Sequence, residues 1–238
     1  MGDIDDKRRE FLISALSAGL YAVGSMGILQ PVWAMGKIPK QLVPGKSIYD
    51  LSGDVKVDGQ PANEDTVISV NSTVKTGDSS HVIFAVGLDA FVLRSNSSIK
   101  VEGSAIISEI RLISGKLLSV FGKREKKQNL SLKTITATIG IRGTGVYLEA
   151  QEKQTYICTC YGTADLSANK DRKSIERVET KHHDAPRFIL ADQPAGKNIQ
   201  PAPVFNHTDD ELALVETLVG RVVPFTGGGY SAPRKTTY

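Results

Sequence analysis

A repeated alternation of apolar and polar residues, from about Gly53 to Leu166, restricts this chain to a small group of folds. The short apolar runs are separated, about every ten residues, by clusters of Gly, Asn, Asp and Ser such as Ser95–Ser98. A period of two is typical of strands that bury one face, and these polar clusters are typical of turns. The interval therefore predicts an all-β fold, either a β-sandwich or roll or a short β-solenoid of short strands.

Two segments inside this interval are predicted to be connections between strands. The glycines of 140–145 lack the spacing of a phosphate-binding loop, and no helix follows them to provide an anion site. The charged run 123–127 lacks the aromatic residues that stack on bases, so we expect a solvated hairpin loop. The predicted strands are 55–57, 74–76, 82–86, 90–93, 99–101, 106–113, 116–121, 130–139, 146–150, 155–161 and 164–168.

The overall composition argues against two classes of function. The chain has 238 residues, of which 29 are basic and 26 acidic, and so small a net charge (+3) gives no reason to expect nucleic acid as a partner. No Gly-x-Ser-x-Gly, His-Glu-x-x-His or Walker motif is present, so we predict a protein that is not an enzyme. A hydrophobic content of 40% suffices for the core of one domain of ordinary size.

The N-terminal residues have the features of an export signal. The run Arg8–Leu12 follows a lysine and precedes the uncharged, moderately apolar stretch 13–29. It resembles the twin-arginine (Tat) motif, and this resemblance implies delivery of folded cargo to the periplasm. We predict cleavage after Ala34, with no stable membrane span left in the mature protein. The alternatives are an uncleaved anchor helix and a buried N-terminal helix.

A second resemblance lies in the middle of the chain. The segment Thr136–Leu148 has the tripeptide Arg142-Gly143-Thr144 between two predicted strands, and it resembles the hallmark of the FecR domain. Three upstream segments also agree with that family, namely Gly53–Gly59, Thr76–Ser80 and Ile113–Leu117. The resemblance covers about half the chain. The resemblance implies a β-rich periplasmic module that binds or relays signals without chemistry of its own. For Arg142 we expect a structural role, in which its guanidinium group satisfies carbonyl groups at strand ends.

The best-known FecR proteins are iron-transport regulators that have a cytoplasmic region binding a sigma factor. Only residues 1–7 precede the two arginines here, so we expect the module without that region. The partner expected for such a module is a protein or another component of the cell envelope.

The two cysteines of the chain form the most reactive candidate site. Cys158 and Cys160 lie two positions apart in a predicted strand, so both sulfur atoms point to the same face. Thiolates and imidazoles together bind zinc or copper, and His182 and His183 follow some 20 residues later. We predict a metal site formed by these four residues, which His207 or Asp184 could complete.

Two other interpretations of the same residues stay open. A Cys-x-Cys disulfide would lie near the upper limit of Cα separation, so it would be strained and reducible, as in a thiol-redox protein. Alternatively, Cys158 and Cys160 are buried thiols without shared chemistry, and the histidines are ordinary surface residues.

The C-terminal region has the pattern of one helix, which follows the β interval. Thr208–Glu211 has the pattern of a capping box before an apolar stripe, and Gly220 is expected to end this amphipathic helix, which packs on the β domain. The predicted organisation is a 1–34 signal peptide, a 35–52 linker, a 53–168 FecR-like β domain, a 169–206 Cys/His-associated extension, a 207–224 helix region and a disordered 225–238 tail.

Overall fold

The computed structural model of the protein describes residues 40–125 and 128–225. The predicted signal peptide, its cleavage site after Ala34 and nearly all of the predicted tail lie outside the described residues. Among the residues that are described, no helix is long and apolar enough to cross a membrane.

The described chain is mostly β structure with one short C-terminal helix, which confirms the predicted fold class. All fourteen strands belong to one continuous sheet, which is open and does not close into a barrel. The elements are β1 (Ile48–Ser52), β2 (Val55–Val57), β3 (Gln60–Pro61), β4 (Thr73–Thr76), β5 (His81–Val86), β6 (Asp89–Leu93), β7 (Ser98–Gly103), β8 (Ile107–Val120), β9 (Leu130–Lys133), β10 (Ala137–Ala150), β11 (Gln154–Ala168), β12 (Asp171–Thr180), β13 (Arg187–Leu190), β14 (Ile199–Pro201) and α1 (Asp209–Leu218).

Three long strands organise the sheet because each changes its neighbours along its length. The first part of β8 pairs with β7 and β9, whereas its last part pairs with β6 and β10. In the same way β10 passes from β9 to β8, and β11 passes from β13 to β12. Side chains from both parts of β8, such as Leu112 and Leu117, belong to one buried apolar cluster. The sheet therefore folds over itself, and the main core lies between its two parts.

These long strands correct several predicted strand boundaries. Segments 106–113 and 116–121 form the single strand β8, and the predicted connection 140–145 lies inside β10. Gly115 has a φ of +90°, and a Cβ there would stand 2.1 Å from the Ser97 hydroxyl oxygen. The register also shifts between Arg142 and Gly145. These glycines therefore lie at bends and bulges within strands, whereas the sequence pattern predicted turns between strands.

The sheet also extends beyond the interval 53–168. β1 lies in the range predicted as a linker and pairs with β5, while β12 to β14 lie in the predicted Cys/His-associated extension. β12 is rich in charged residues, but Ser174, Val178 and Thr180 on one face are buried. Its alternation is genuine, although few of the buried residues are strongly apolar.

The predicted hairpin at 123–127 is wrong. β8 and β9 pair in parallel, so the chain must cross over between them instead of reversing tightly. Within this crossover Arg124 is buried, with 9% of its side chain exposed, and it forms an ion pair with Asp89, which is 2% exposed. The backbone N–H of Gly122 also donates to the Asp89 carboxylate, at 3.0 Å.

Helix α1 begins and packs as predicted. The Thr208 side chain accepts a hydrogen bond from the Glu211 N–H, and the Glu211 carboxylate accepts one from the Thr208 N–H, which confirms the capping box. Gly220 follows the C-cap with a φ of +71°. The apolar side of α1 covers the outer face of the sheet and forms a second buried cluster with it. This second cluster contains both cysteines.

Candidate metal centre

Strand β11 places the two cysteines on the face that α1 covers. Cys158 and Cys160 are both completely buried in the second apolar cluster, whereas Thr159 between them points to the opposite face. Both cysteines are free thiols, and the Cys160 Sγ donates a hydrogen bond to the Cys158 carbonyl oxygen at 3.7 Å. The predicted common orientation of the two sulfur atoms is therefore found.

His183 reaches the thiols from the turn between β12 and β13. Its backbone lies in the left-handed region, with a φ of +52°, and its N–H donates to the Cys160 carbonyl at 3.0 Å. The imidazole Nδ1 lies 3.3 Å from the Cys158 Sγ. This turn therefore directs one of the two adjacent histidines, His183, towards the sulfur atoms.

His207 approaches the same point from the N-terminal end of α1. Its Nε2 lies 3.0 Å from the His183 Nδ1, and its Nδ1 is 2.7 Å from the Phe205 carbonyl oxygen. When Nδ1 carries the proton and donates it to that carbonyl, Nε2 is the nitrogen with a lone pair directed at the cluster. The ring also stacks on Tyr147, with centroids 4.7 Å apart. His207, one of two residues named as able to complete a site, is thus brought to it.

Four potential ligand atoms meet here, and we refer to Cys158, Cys160, His183 and His207 as the Cys2His2 cluster. All four residues are buried, and their ligand atoms lie within 4.8 Å of one another. Zinc bound at about 2.3 Å from sulfur and about 2.0–2.1 Å from nitrogen in a tetrahedron would place ligand atoms about 3.3–3.8 Å apart. The sulfur-to-nitrogen and nitrogen-to-nitrogen distances above come close to that spacing. Small side-chain adjustments would therefore suffice to bind an ion.

The other two predicted ligand residues lie outside this cluster. The Nε2 of His182 is 2.9 Å from an Asp209 carboxylate oxygen, so His182 lies against the first turn of α1 instead of against the sulfur atoms. Asp184 accepts hydrogen bonds from the backbone N–H groups of Lys181 and His182. Asp184 therefore shapes the turn that positions His183.

Asp209 is the residue of the site that the sequence pattern did not reveal. Its carboxylate lies 3.0 Å from the Nε2 of His183, whose other nitrogen faces Cys158. A carboxylate behind a histidine ligand is a common arrangement in metal sites, where it fixes the ring orientation and tautomer. In the sequence, Asp209 is recognisable only as part of a helix N-terminus.

The surroundings of the two thiols favour a thiolate at Cys158. The interaction of its side chain with that of Cys160, together with the contacts of His183 and His207, holds the pKa of the Cys158 thiol well below its usual value despite burial. Burial raises the pKa of Cys160 well above the usual value. Burial opposes the charged form of His183, but its contacts with Cys158 and Asp209 raise its pKa. One thiolate beside an imidazole is a chemically suitable start for a metal site.

A further ion pair stands next to the cluster. Arg94 donates to the Glu211 carboxylate at 2.7 Å, and its guanidinium carbon lies 5.2 Å from the centre of the Tyr147 ring. Tyr147 is the ring that stacks on His207. The start of α1 is therefore held by this ion pair with Arg94 as well as by the contacts of Asp209 with His182 and His183.

Arg142 does not have the environment expected from the FecR-like tripeptide. Its side chain is mostly exposed, and its Nε donates to the Asp165 carboxylate at 3.2 Å, where Arg177 also pairs. Its observed partner is therefore a side chain on the neighbouring strand, in place of the predicted carbonyl groups at strand ends.

A cavity of about 390 Å³ opens at another place on the sheet. Val67, Leu88 and Ile106 line it with exposed apolar side chains, and the buried pair of Asp89 and Arg124 also contributes to its wall. A volume of this size is in the range of small-molecule pockets.

Comparison with known proteins gives limited relationships. No family model matches the chain, and no curated protein matches it. Two crystal structures of a candidate anti-sigma factor from Parabacteroides distasonis ATCC 8503 are similar to part of it, with TM-scores of 0.43 and 0.42 and 8% sequence identity in each case. Each similarity covers 55% of this chain, which spans 57% of the length of those chains.

Proposed function

We propose that this protein binds one zinc ion through the Cys2His2 cluster. The observation that carries the proposal is the convergence of two thiols and two imidazoles, all buried, from strand β11, the β12–β13 turn and the start of α1. Two sulfur and two nitrogen ligands suit zinc, whereas calcium and magnesium prefer oxygen ligands. Copper is the alternative metal for the same donor set.

The geometry favours a structural ion over a catalytic one. Catalytic zinc sites have three protein ligands and leave a position for water or substrate, whereas structural sites have four protein ligands. Here four ligand atoms are provided by the chain, and all four residues are buried. We therefore propose a non-enzymatic protein in which zinc joins separate parts of the fold.

Metal analysis of the purified full chain tests this proposal. We expect one zinc ion per chain, bound with both thiols protected from a thiol reagent. Loss of a residue that only supports a metal ligand typically weakens metal binding about 10- to 100-fold. Cys158→Ser or Cys160→Ser removes a ligand itself, so we expect a larger loss of zinc affinity.

Thr159→Val is the matched control, because Thr159 lies between the two cysteines and points to the opposite face. This variant should retain zinc. A wild-type protein that binds no zinc or copper and has two unreactive thiols would rule the proposal out.

We also propose, as a second and compatible function, an exported module of the FecR type that binds or signals in the periplasm. The structural observation that favours binding is the apolar rim of the 390 Å³ cavity, because exposed apolar clusters commonly mark interaction sites.

A photo-crosslinking residue at Leu88 should capture a cell-envelope protein. The same residue at Ile175, which is 69% exposed on β12, is the control, and equal capture at both positions would contradict a specific site.

Export is tested separately through the leader. Replacing Arg8 and Arg9 together by lysine keeps the positive charge but removes the paired arginines that the Tat resemblance rests on. We expect the variant to remain in the cytoplasm and the parent chain to reach the periplasm, as measured by cell fractionation. Lys7→Arg is the control, and unchanged export of the double variant would exclude this route.

A further inference from the structure

Helix α1 is attached to the sheet through one of the proposed ligands. His207 immediately precedes the N-cap residue Thr208, whereas the other three members of the Cys2His2 cluster belong to β11 and to the β12–β13 turn. A metal ion bound by all four residues would therefore link the start of α1 directly to the sheet.

The helix depends on the sheet for its stability. It has only ten residues, and an isolated helix of that length is marginal in water. Its apolar side chains Leu212, Leu214, Val215 and Leu218 are buried against the outer face of the sheet. If α1 detached, it would lose helical structure, and this apolar face would be exposed to water.

The polar contacts at the helix start connect it to the same site. Asp209 is 8% exposed and its carboxylate contacts His183 and His182. The four ligand atoms of the cluster lie in a buried space, where His183 contacts both Cys158 and His207. A metal bound to all four would add direct bonds between the sheet and the residue that precedes α1, and would so secure the start of the helix.

We propose that occupancy of the Cys2His2 cluster controls whether the C-terminal segment 203–225 stays on the sheet. With zinc bound, α1 covers the outer apolar face. After zinc is removed, this segment opens locally and exposes the face, while the core between the two parts of the sheet stays folded. This inference rests on the zinc site proposed above and adds a metal-dependent conformational change to it.

Hydrogen exchange of the full chain, measured with zinc and after removal of zinc by a chelator at the same pH, tests the inference. We expect amide exchange in 207–219 to become about ten-fold faster or more without zinc. Apolar side chains of β7 and β9 belong to the main core. Amide exchange in these two strands should therefore stay within about two-fold of the rate measured with zinc. Equal protection of 207–219 in both samples, or simultaneous loss of protection in all three segments, would overturn the inference.

Two variants separate this inference from the zinc proposal itself. His207→Ala leaves three ligands on the sheet side, so 207–219 should exchange rapidly even with zinc present, whereas His207→Cys supplies a new thiolate and should restore zinc-dependent protection. Asp210→Ala, in the first turn of the helix, is the neighbouring control. Zinc content is measured on every sample. Absence of zinc from the parent chain refutes the zinc site. If zinc binds but its removal leaves the exchange rates unchanged, only the proposal that zinc holds α1 on the sheet is refuted.

Discussion

His183 shows how a single side chain connects the thiols to the helix. Its Nδ1 lies 3.3 Å from the Cys158 sulfur, and its Nε2 lies 3.0 Å from the Asp209 carboxylate. The positive φ of its backbone and the adjacent Asp184 turn place the ring between these two groups. We infer that Asp209 acts as a positioning residue for His183, with no direct bond to the metal.

Removing the Asp209 carboxylate tests this role. Asp209→Ala is expected to weaken zinc binding about 10- to 100-fold, because His183 loses the partner that fixes its orientation. The affinity is measured by competition with a chromogenic chelator. Asp210→Ala, which removes a neighbouring carboxylate from the same helical turn, is the matched control and should change the affinity little. Equal losses in the two variants would indicate a general effect of helix charge instead.

A buried ion pair holds the crossover between β8 and β9. Arg124 and Asp89 join this crossover to the start of β6, and Arg221 from beyond α1 donates to the Leu88 carbonyl at 2.6 Å. Burial raises the pKa of Asp89, although its contacts with Arg124 and Gly122 act in the opposite direction. The carboxylate therefore depends strongly on its partner.

Breaking this pair should destabilise the protein substantially. Arg124→Met leaves the Asp89 carboxylate buried without its cation, and we expect the free energy of unfolding to fall by about 3–5 kcal/mol. The change is measured by urea denaturation. Lys123→Met, at the exposed neighbouring position, should cost less than about 0.5 kcal/mol. A similar small loss in both variants would show that the pair does not stabilise the crossover.

The same elements show what the sequence could predict. Period-two alternation located β2 and β4 to β7 closely, and the Thr208 capping box located α1. The sequence prediction divided the long strands at Gly115 and at the glycines of 140–145, because glycine is typical of turns. In the structure these glycines form bends and bulges inside continuous strands. The parallel pairing of β8 with β9 depends on contacts distant in sequence, so the local charge pattern wrongly suggested a hairpin.

For the whole molecule, the fold brings the site together from parts that are distant in the chain. Cys158, Cys160 and His183 could be predicted as neighbours because a strand and a turn place them there. The sequence also indicated His207 as a possible further ligand, but it did not reveal Asp209. Both reach the site because α1 packs across the outer face of the sheet, at a position that no local pattern specifies. His182 was predicted as a ligand from its position beside His183, but the turn directs it to Asp209.

X-ray absorption spectroscopy at the zinc edge of the purified full chain shows directly which atoms bind the metal. We expect a four-coordinate ion with two sulfur atoms at about 2.3 Å and two nitrogen atoms at about 2.0–2.1 Å. Cys158→Ser should lower the sulfur contribution, and His207→Cys should raise it. A zinc environment made only of nitrogen and oxygen atoms, or a protein that takes up no metal, would show that the Cys2His2 cluster is not a zinc site.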